Sequence, residues 1–462
     1  IVGKDPKNAK NLIVRTSTGD GVKIERKVVK IDPVTGLKTE SVELVSFGFK
    51  DGVKPTTSDK SVVATSNPKA EVKFNTPASV VTTSTIESDK VMVASVDVFD
   101  QANTMVADKA AWMDRLGMSA SGASKVDIRA GLELRSKTDI NLTEDWDLSR
   151  SAHAGASPIF LTLRAQNDIH VNGWLSDGFN GVKRSETATP TSLKGEGSSF
   201  RLVAGADLLA ADVMQTTALQ AGSLTIAGGK GIRTTSGSIE LGASDNITLQ
   251  PGKNDAEAQA VVYVAGLADA DSPRGTAWQQ FTHHGGRLEL DAGGSVIAPA
   301  ALQGFGNWFL HTGSGNSDLA WASSFDAFRQ GVGSMGGGNV RVEAGQDIVN
   351  LGVVAPTSGV ATKANGVVTQ TVANGGDILV RAGRDIKGGM MFLGKGRGVL
   401  EAGNSVTLGD ARKGAKTESD AVAPVLGLMD GQWRVQARDD VKIGYIYNPT
   451  ALNGTSKATK DA

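Results

Sequence analysis

The sequence predicts an all-β chain whose main part is a parallel β-helix, and three observations predict it. A short phrase recurs, as VRVEAGQDI at residues 340–348 and LVRAGRDI at 379–386. Within it apolar and polar residues alternate, so each strand has one apolar face. Glycine fills 57 of 462 positions against 13 prolines, and aromatics make up only 5%. That balance suits many short strands and tight turns better than a core built on large anchors.

Taken in order, residues 1–120 lack the phrase. Leu12-Ile13-Val14-Arg15, Val22-Lys23-Ile24-Glu25, Val42-Glu43-Leu44-Val45, Val72-Lys73-Phe74 and residues 91–98 read as strands. Residues 105–116, with Met105, Ala110, Trp112 and Leu116, allow one short helix. This segment is expected to be strand-rich, capping or continuing the solenoid. Residues 121–450 carry the repeat: VDIRAG at 126–131, LTLRAQNDI at 161–169, LVAGADL at 202–208, LTIAGG at 224–229, LELDAGGSV at 288–296, LEAGNSV at 400–406 and WRVQARDDV at 433–441. Insertions interrupt it near 175–199, 251–284, 298–335, 355–376 and 411–424. Residues 451–462 form a polar tail.

One unit reads as strand, tight bend and strand, which is one side of a coil. Val340, Val342 and Ala344 alternate with Arg341 and Glu343. The alanine is small where the chain bends inward, the glycine after it is free to take positive φ, and the aspartate bonds turn amides. Ile348 then opens another strand. One unit cannot bury its apolar face alone, but stacked units do. Coils of roughly 20 residues would give about 15 to 20 rungs, a rod of ~80–100 Å.

Charge excludes some partners. With 48 basic and 49 acidic residues, net −1, nothing favours nucleic acid. Cysteine is absent, which excludes disulfides and thiolate metal sites and suits a chain crossing an oxidising compartment unfolded. No apolar run approaches the ~20 residues of a membrane span. The start, Ile1-Val2-Gly3-Lys4, has no signal-peptide pattern, so an exported chain would be a processed piece.

Several stretches resemble the C-terminal region of large exoproteins of the filamentous-haemagglutinin family. They are residues 126–131, Asp145-Trp146-Asp147-Leu148, LSDGF at 175–179, FRLVAGAD at 200–207, WASSFDAFRQGVGSMGGGNVRVEAGQDIVNLG at 321–352 and GGDILVRAGRDIKGG at 375–389. The resemblance implies a right-handed parallel β-helix exported by two-partner secretion through an outer-membrane transporter. It implies an extracellular or outer-cell-surface adhesin acting in adhesion, aggregation or biofilm formation. The family's amino-terminal secretion domain is not apparent.

The search for chemistry yields no catalytic, cofactor or metal set. The recurring Asp139, Asp168, Asp207, Asp347, Asp385 and Asp440 are too sparse for a calcium roll and read as turn caps. Asp439 and Asp440 would point to opposite faces of a strand, and Asp139 with Asp168 lacks a shared orientation. His283, His284 and His311 complete no ligand set. Gly336-Gly337-Gly338 precedes a strand, not a helix, and cradles no phosphate. The cluster Phe305, Trp308, Phe309, Trp321, Phe325 and Phe328 is the local feature of most interest. It is either a plug over the helix or a surface for glycans or a partner. The expectation is a non-enzymatic shaft that touches glycans or a neighbouring cell and docks head-to-tail into filaments. The alternative is a polysaccharide-binding or polysaccharide-cleaving β-helix.

Overall fold

A computed structural model describes residues 15–16, 22–31, 38–47, 78–88, 126–149, 158–179, 196–218, 221–253, 259–267, 281–300, 307–312, 319–325, 327–410, 421 and 423–448. These residues are all-β, with no α-helix among them. The helix expected at 105–116, the strands at 72–74 and 91–98, Phe305 and the tail lie outside the described residues.

The chain divides into two compact units. The first is Ile1–Ser136 with Ser157–Leu163. Its strands Val22–Ile31 and Lys38–Phe47 form an antiparallel hairpin, with Val22 opposite Phe47. Strand Ala78–Ser88 runs parallel to Val126–Ser136 along its whole length, and Arg15–Thr16 pairs parallel on its other side. Ala78–Ser88, which lacks the Ala-Gly phrase, therefore stacks in parallel on a strand that carries it at Ala130-Gly131.

The second unit, Lys137–Ala156 with Arg164–Ala462, is a parallel β-solenoid with three strand-bearing faces per coil. On the first face lie Ser199–Ala204, Ile239–Ala243, Leu288–Ala292, Val340–Ala344 and Ile378–Ala382, then the ends of Met390–Ala402 and Val425–Ala437. Their registers align one alanine column: Ala204, Ala243, Ala292, Ala344, Ala382, Ala402, Ala437. The second face is an eight-stranded ladder. Its column is Ile140, Ile169, Leu224, Ile247, Val296, Ile348, Ile386 and Val406, all buried. The third face stacks Trp146, Leu175, Ile232, Val262, Val332, Val353, Met391, Leu426 and Ile446. Each fully buried Val, Leu or Ile contributes roughly 1.5–3 kcal/mol of transfer free energy, so the columns hold the unit together.

The rung count departs from the expectation. From corner to corner the coils take 29, 55, 23, 49, 52, 38, 20 and 35 residues. A bare coil does take about 20, but most coils carry insertions. The irregular spacing of Ala-Gly pairs reflects insertions inside single coils, not pairs of coils. At ~4.8 Å per strand the eight-stranded face spans roughly 34 Å, not ~80–100 Å.

Four expected insertions also contain strands, the first of them Leu175–Ser176, already placed on the third face. Val261–Val264 and Gly331–Ser334 are rungs of the third face. Residues 355–376 hold the hairpin Thr357–Ala364 and Val367–Asn374. With Phe309–Thr312 and Leu319–Ser323 it makes a four-stranded antiparallel sheet.

Gly205 does take a φ of 63°, but the later corner glycines are needed for a reason other than φ. Gly345, Gly383 and Gly403 lie outside the left-handed region. A Cβ on Gly383 would collide with the Gly345 carbonyl, and one on Gly403 with the Gly383 carbonyl. Glycine is required because adjacent coils touch backbone to backbone at this corner.

Candidate functional site

The recurring aspartates stand beside those glycines, one residue before each second-face strand. Asp139 Oδ1 accepts from the Asp168 amide of the next coil at 3.3 Å. Asp168 Oδ1 accepts from Ser223 N at 2.7 Å, and Ser223 Oγ from Asn246 N at 3.4 Å. Asn246 Oδ1 accepts from Ser295 N (2.7 Å), and Ser295 Oγ from Asp347 N (3.2 Å). Asp347 Oδ1 accepts from Asp385 N (3.2 Å), Asp385 Oδ1 from Ser405 N (3.0 Å), and Ser405 Oγ from Asp440 N (3.2 Å). Asp, Asn and Ser interchange here because all that is needed is an acceptor oxygen on a short side chain. Burial works against the Asp347 carboxylate. The Lys387 ammonium, the Asp385 amide and the Arg384 guanidinium outweigh it and hold that carboxyl below the ordinary range. Asp207 stands apart and caps its own turn, accepting from Leu209 N at 3.0 Å.

The aromatic residues come together, but inward. Trp308, Phe309, Trp321, Phe325 and Phe328 are all buried in one cluster with Tyr263, Val354 and Phe392. In register, Tyr263, Gly333, Val354 and Phe392 follow one another on the pleat opposite the Val262 column. The cluster therefore lies on the outer side of the third face. Trp308 meets Phe328 and Phe392 edge-on at 5.3 and 5.8 Å, and Tyr263 stacks on Phe325 at 6.1 Å. With each of these five rings at most 5% exposed, no flat face is presented to a sugar.

Sequence reasoning did not find Arg233. It is buried, with its guanidinium 4.2 Å from the Phe179 ring centre and 4.9 Å from that of Trp174. Nε donates to Ser176 Oγ at 2.8 Å and a terminal nitrogen to the Tyr263 hydroxyl at 3.2 Å. Gly231-Ile232-Arg233-Thr234 carries no mark separating it from a surface strand. Asp177, also buried, accepts from the Gly178 and Ser198 amides at 2.6 Å. Burial, with the Asp147 charge, pushes its carboxyl above the ordinary range against those bonds.

A groove of about 620 Å³ runs along the first corner. Ala344, Ala382, Ala402 and their following glycines line it, beside Asp291, Glu343, Arg381 and Glu401. Small residues are what leave the corner hollow. Arg381 bridges Glu343 at 2.9 Å and Glu401 at 3.1 Å. Partial burial and the neighbouring Glu343 raise the Asp291 carboxyl above its ordinary value, Arg341 opposing. Asp439 and Asp440 diverge: Asp439 pairs with Arg438, while the Asp440 amide joins the corner ladder. His283 and His284 have ring centres 4.7 Å apart. Among the described residues no group of three His, Asp or Glu is placed to hold a metal ion. No family model matches the chain, and neither a curated protein nor a solved structure matches it.

Proposed function

We propose that the chain is a non-catalytic shaft of a bacterial surface exoprotein of the filamentous-haemagglutinin type, working in adhesion, aggregation or biofilm formation outside the cell. The observation that carries this reading is the inter-coil ladder from Asp139 to Asp440. Of the aspartates a sequence search would nominate for chemistry, Asp139, Asp168, Asp347 and Asp385 have their side chains engaged in binding one coil to the next. The last described coil supports a role in assembly. Tyr445 and Ile446 are 73% and 66% exposed, on a strand that pairs with Val425–Ala437. A strand exposed in this way offers a pairing surface to a further coil, and a head-to-tail contact that does not close propagates into a filament. Negative-stain imaging of the purified chain tests the reading. Filaments of chains joined end to end are expected, and particles that never join end to end would overturn it.

The corner groove favours one second reading, binding or cleavage of a polysaccharide lying along the coils. Glu343 and Glu401 share Arg381, which fits ion pairing better than acid–base work. Release of reducing ends from a polysaccharide panel, abolished by Glu343→Gln, would establish that reading over the first.

A further inference from the structure

We propose that strand Val367–Asn374 pairs antiparallel with the same strand of a second copy, joining two shafts side by side through a two-fold axis at Gln370. This contact is separate from end-to-end docking and stands whether or not the chain is an adhesin.

Among the described residues the strand is the last of the four-stranded antiparallel sheet, where it pairs with Thr357–Ala364. Asn365 and Gly366 join the two strands with φ of 51° and 80°. Positive φ at both positions is the signature of a two-residue turn whose twist matches the strands it joins, so the hairpin is well formed to its tip. Along the strand Val367, Thr369, Thr371, Val372 and Ala373 are exposed. Edge strands ordinarily discourage pairing with a lysine, a proline or a bulge. This one, VVTQTVAN, has no charge and no proline, and Val367 is 64% exposed. The hairpin's only charged residue, Lys363, lies on the inner strand.

The sequence names the occupant. Val368-Thr369-Gln370-Thr371-Val372 reads the same in both directions. Antiparallel pairing about Gln370 sets Val368 against Val372 of the second copy and Thr369 against its Thr371. Cross-strand β-branched and threonine pairs are favourable in sheets, and an uncharged strand meets no like charge when it pairs with itself. A two-fold contact uses the same patch on both copies and closes, so this edge yields a dimer, not a growing sheet.

Because the chain has no cysteine, Gln370→Cys introduces a single thiol, placed on the proposed axis. Under mild oxidation by diamide, the purified full chain carrying it should form disulfide-linked dimer on the order of tenfold faster than Leu209→Cys. Leu209 is a control of high exposure, at 94%. Adding Thr369→Lys and Thr371→Lys should remove that advantage and shift the uncross-linked protein toward monomer mass, with an unchanged melting temperature. Cross-linking of Gln370→Cys no faster than Leu209→Cys, or unaffected by the lysines, would overturn the proposal.

Discussion

The first corner and the cover of the third face are built on opposite rules. At the corner, order is local and repeated: an alanine turned inward, a glycine lying on the previous glycine's carbonyl, and an Asp, Asn or Ser reaching the next coil's amide. Over the third face, order comes from distant insertions. Trp308 and Phe328 arrive from one stretch, Phe179 and Tyr263 from others, and Gly359 of the hairpin lies against Trp321. The corner fixes register. The cover buries apolar surface that an ordinary coil would turn to water. One is periodic, the other is packed, and they should respond differently when broken.

The largest effect is expected at the cover. Trp308→Ala removes a buried ring from the cluster and should cost about 3–5 kcal/mol in urea unfolding. Gly383→Ala comes next, at about 2–3 kcal/mol, because its new Cβ meets backbone that cannot move without shifting a whole coil. A neutral result there would mean the coils do not touch. Asp385→Ala strips the acceptor from the Ser405 amide and should cost about 1–2 kcal/mol, while Asp385→Asn should recover most of that loss. If the asparagine were as damaging as the alanine, charge and not hydrogen bonding would hold the corner. Asp347 supplies the pH dependence. Its folded pKa is depressed, so its contribution is present above the unfolded value near ~3.9 and is lost as pH falls through the folded value. An acid titration of stability should flatten in Asp347→Asn. The smallest effect belongs to Arg381→Ala. Its two ion pairs are half-exposed and should contribute no more than about 1 kcal/mol, less at high salt.

The same contrast explains what could be read from the sequence. Period-two alternation and a fixed Ala-Gly-x-Asp phase revealed parallel stacking, because side chains that recur at one position must stack on their copies. The aspartates read as caps of their own turns; Asp207 does this, but Asp139, Asp168, Asp347 and Asp385 reach across to an amide of the next coil, a partner that one unit of sequence does not display. The third face was not: Val261–Val264 and Gly331–Ser334 lie among insertions and carry no phrase. The inward turn of Trp308 and Trp321 depends on strands more than 40 residues away, among them the one holding Tyr263. The corner glycines read as φ-permissive, which holds for Gly205; Gly345, Gly383 and Gly403 are instead required by close contact, because a sequence shows the missing side chain but not its neighbour.

Native-state hydrogen exchange tests most directly whether the recurrent polar side chains serve to fasten coil to coil. The Ser223, Asp385 and Ser405 amides should exchange only with global unfolding, far more slowly than the exposed turn at Asn365-Gly366. Exchange of those three at the rate of the turn would contradict the account.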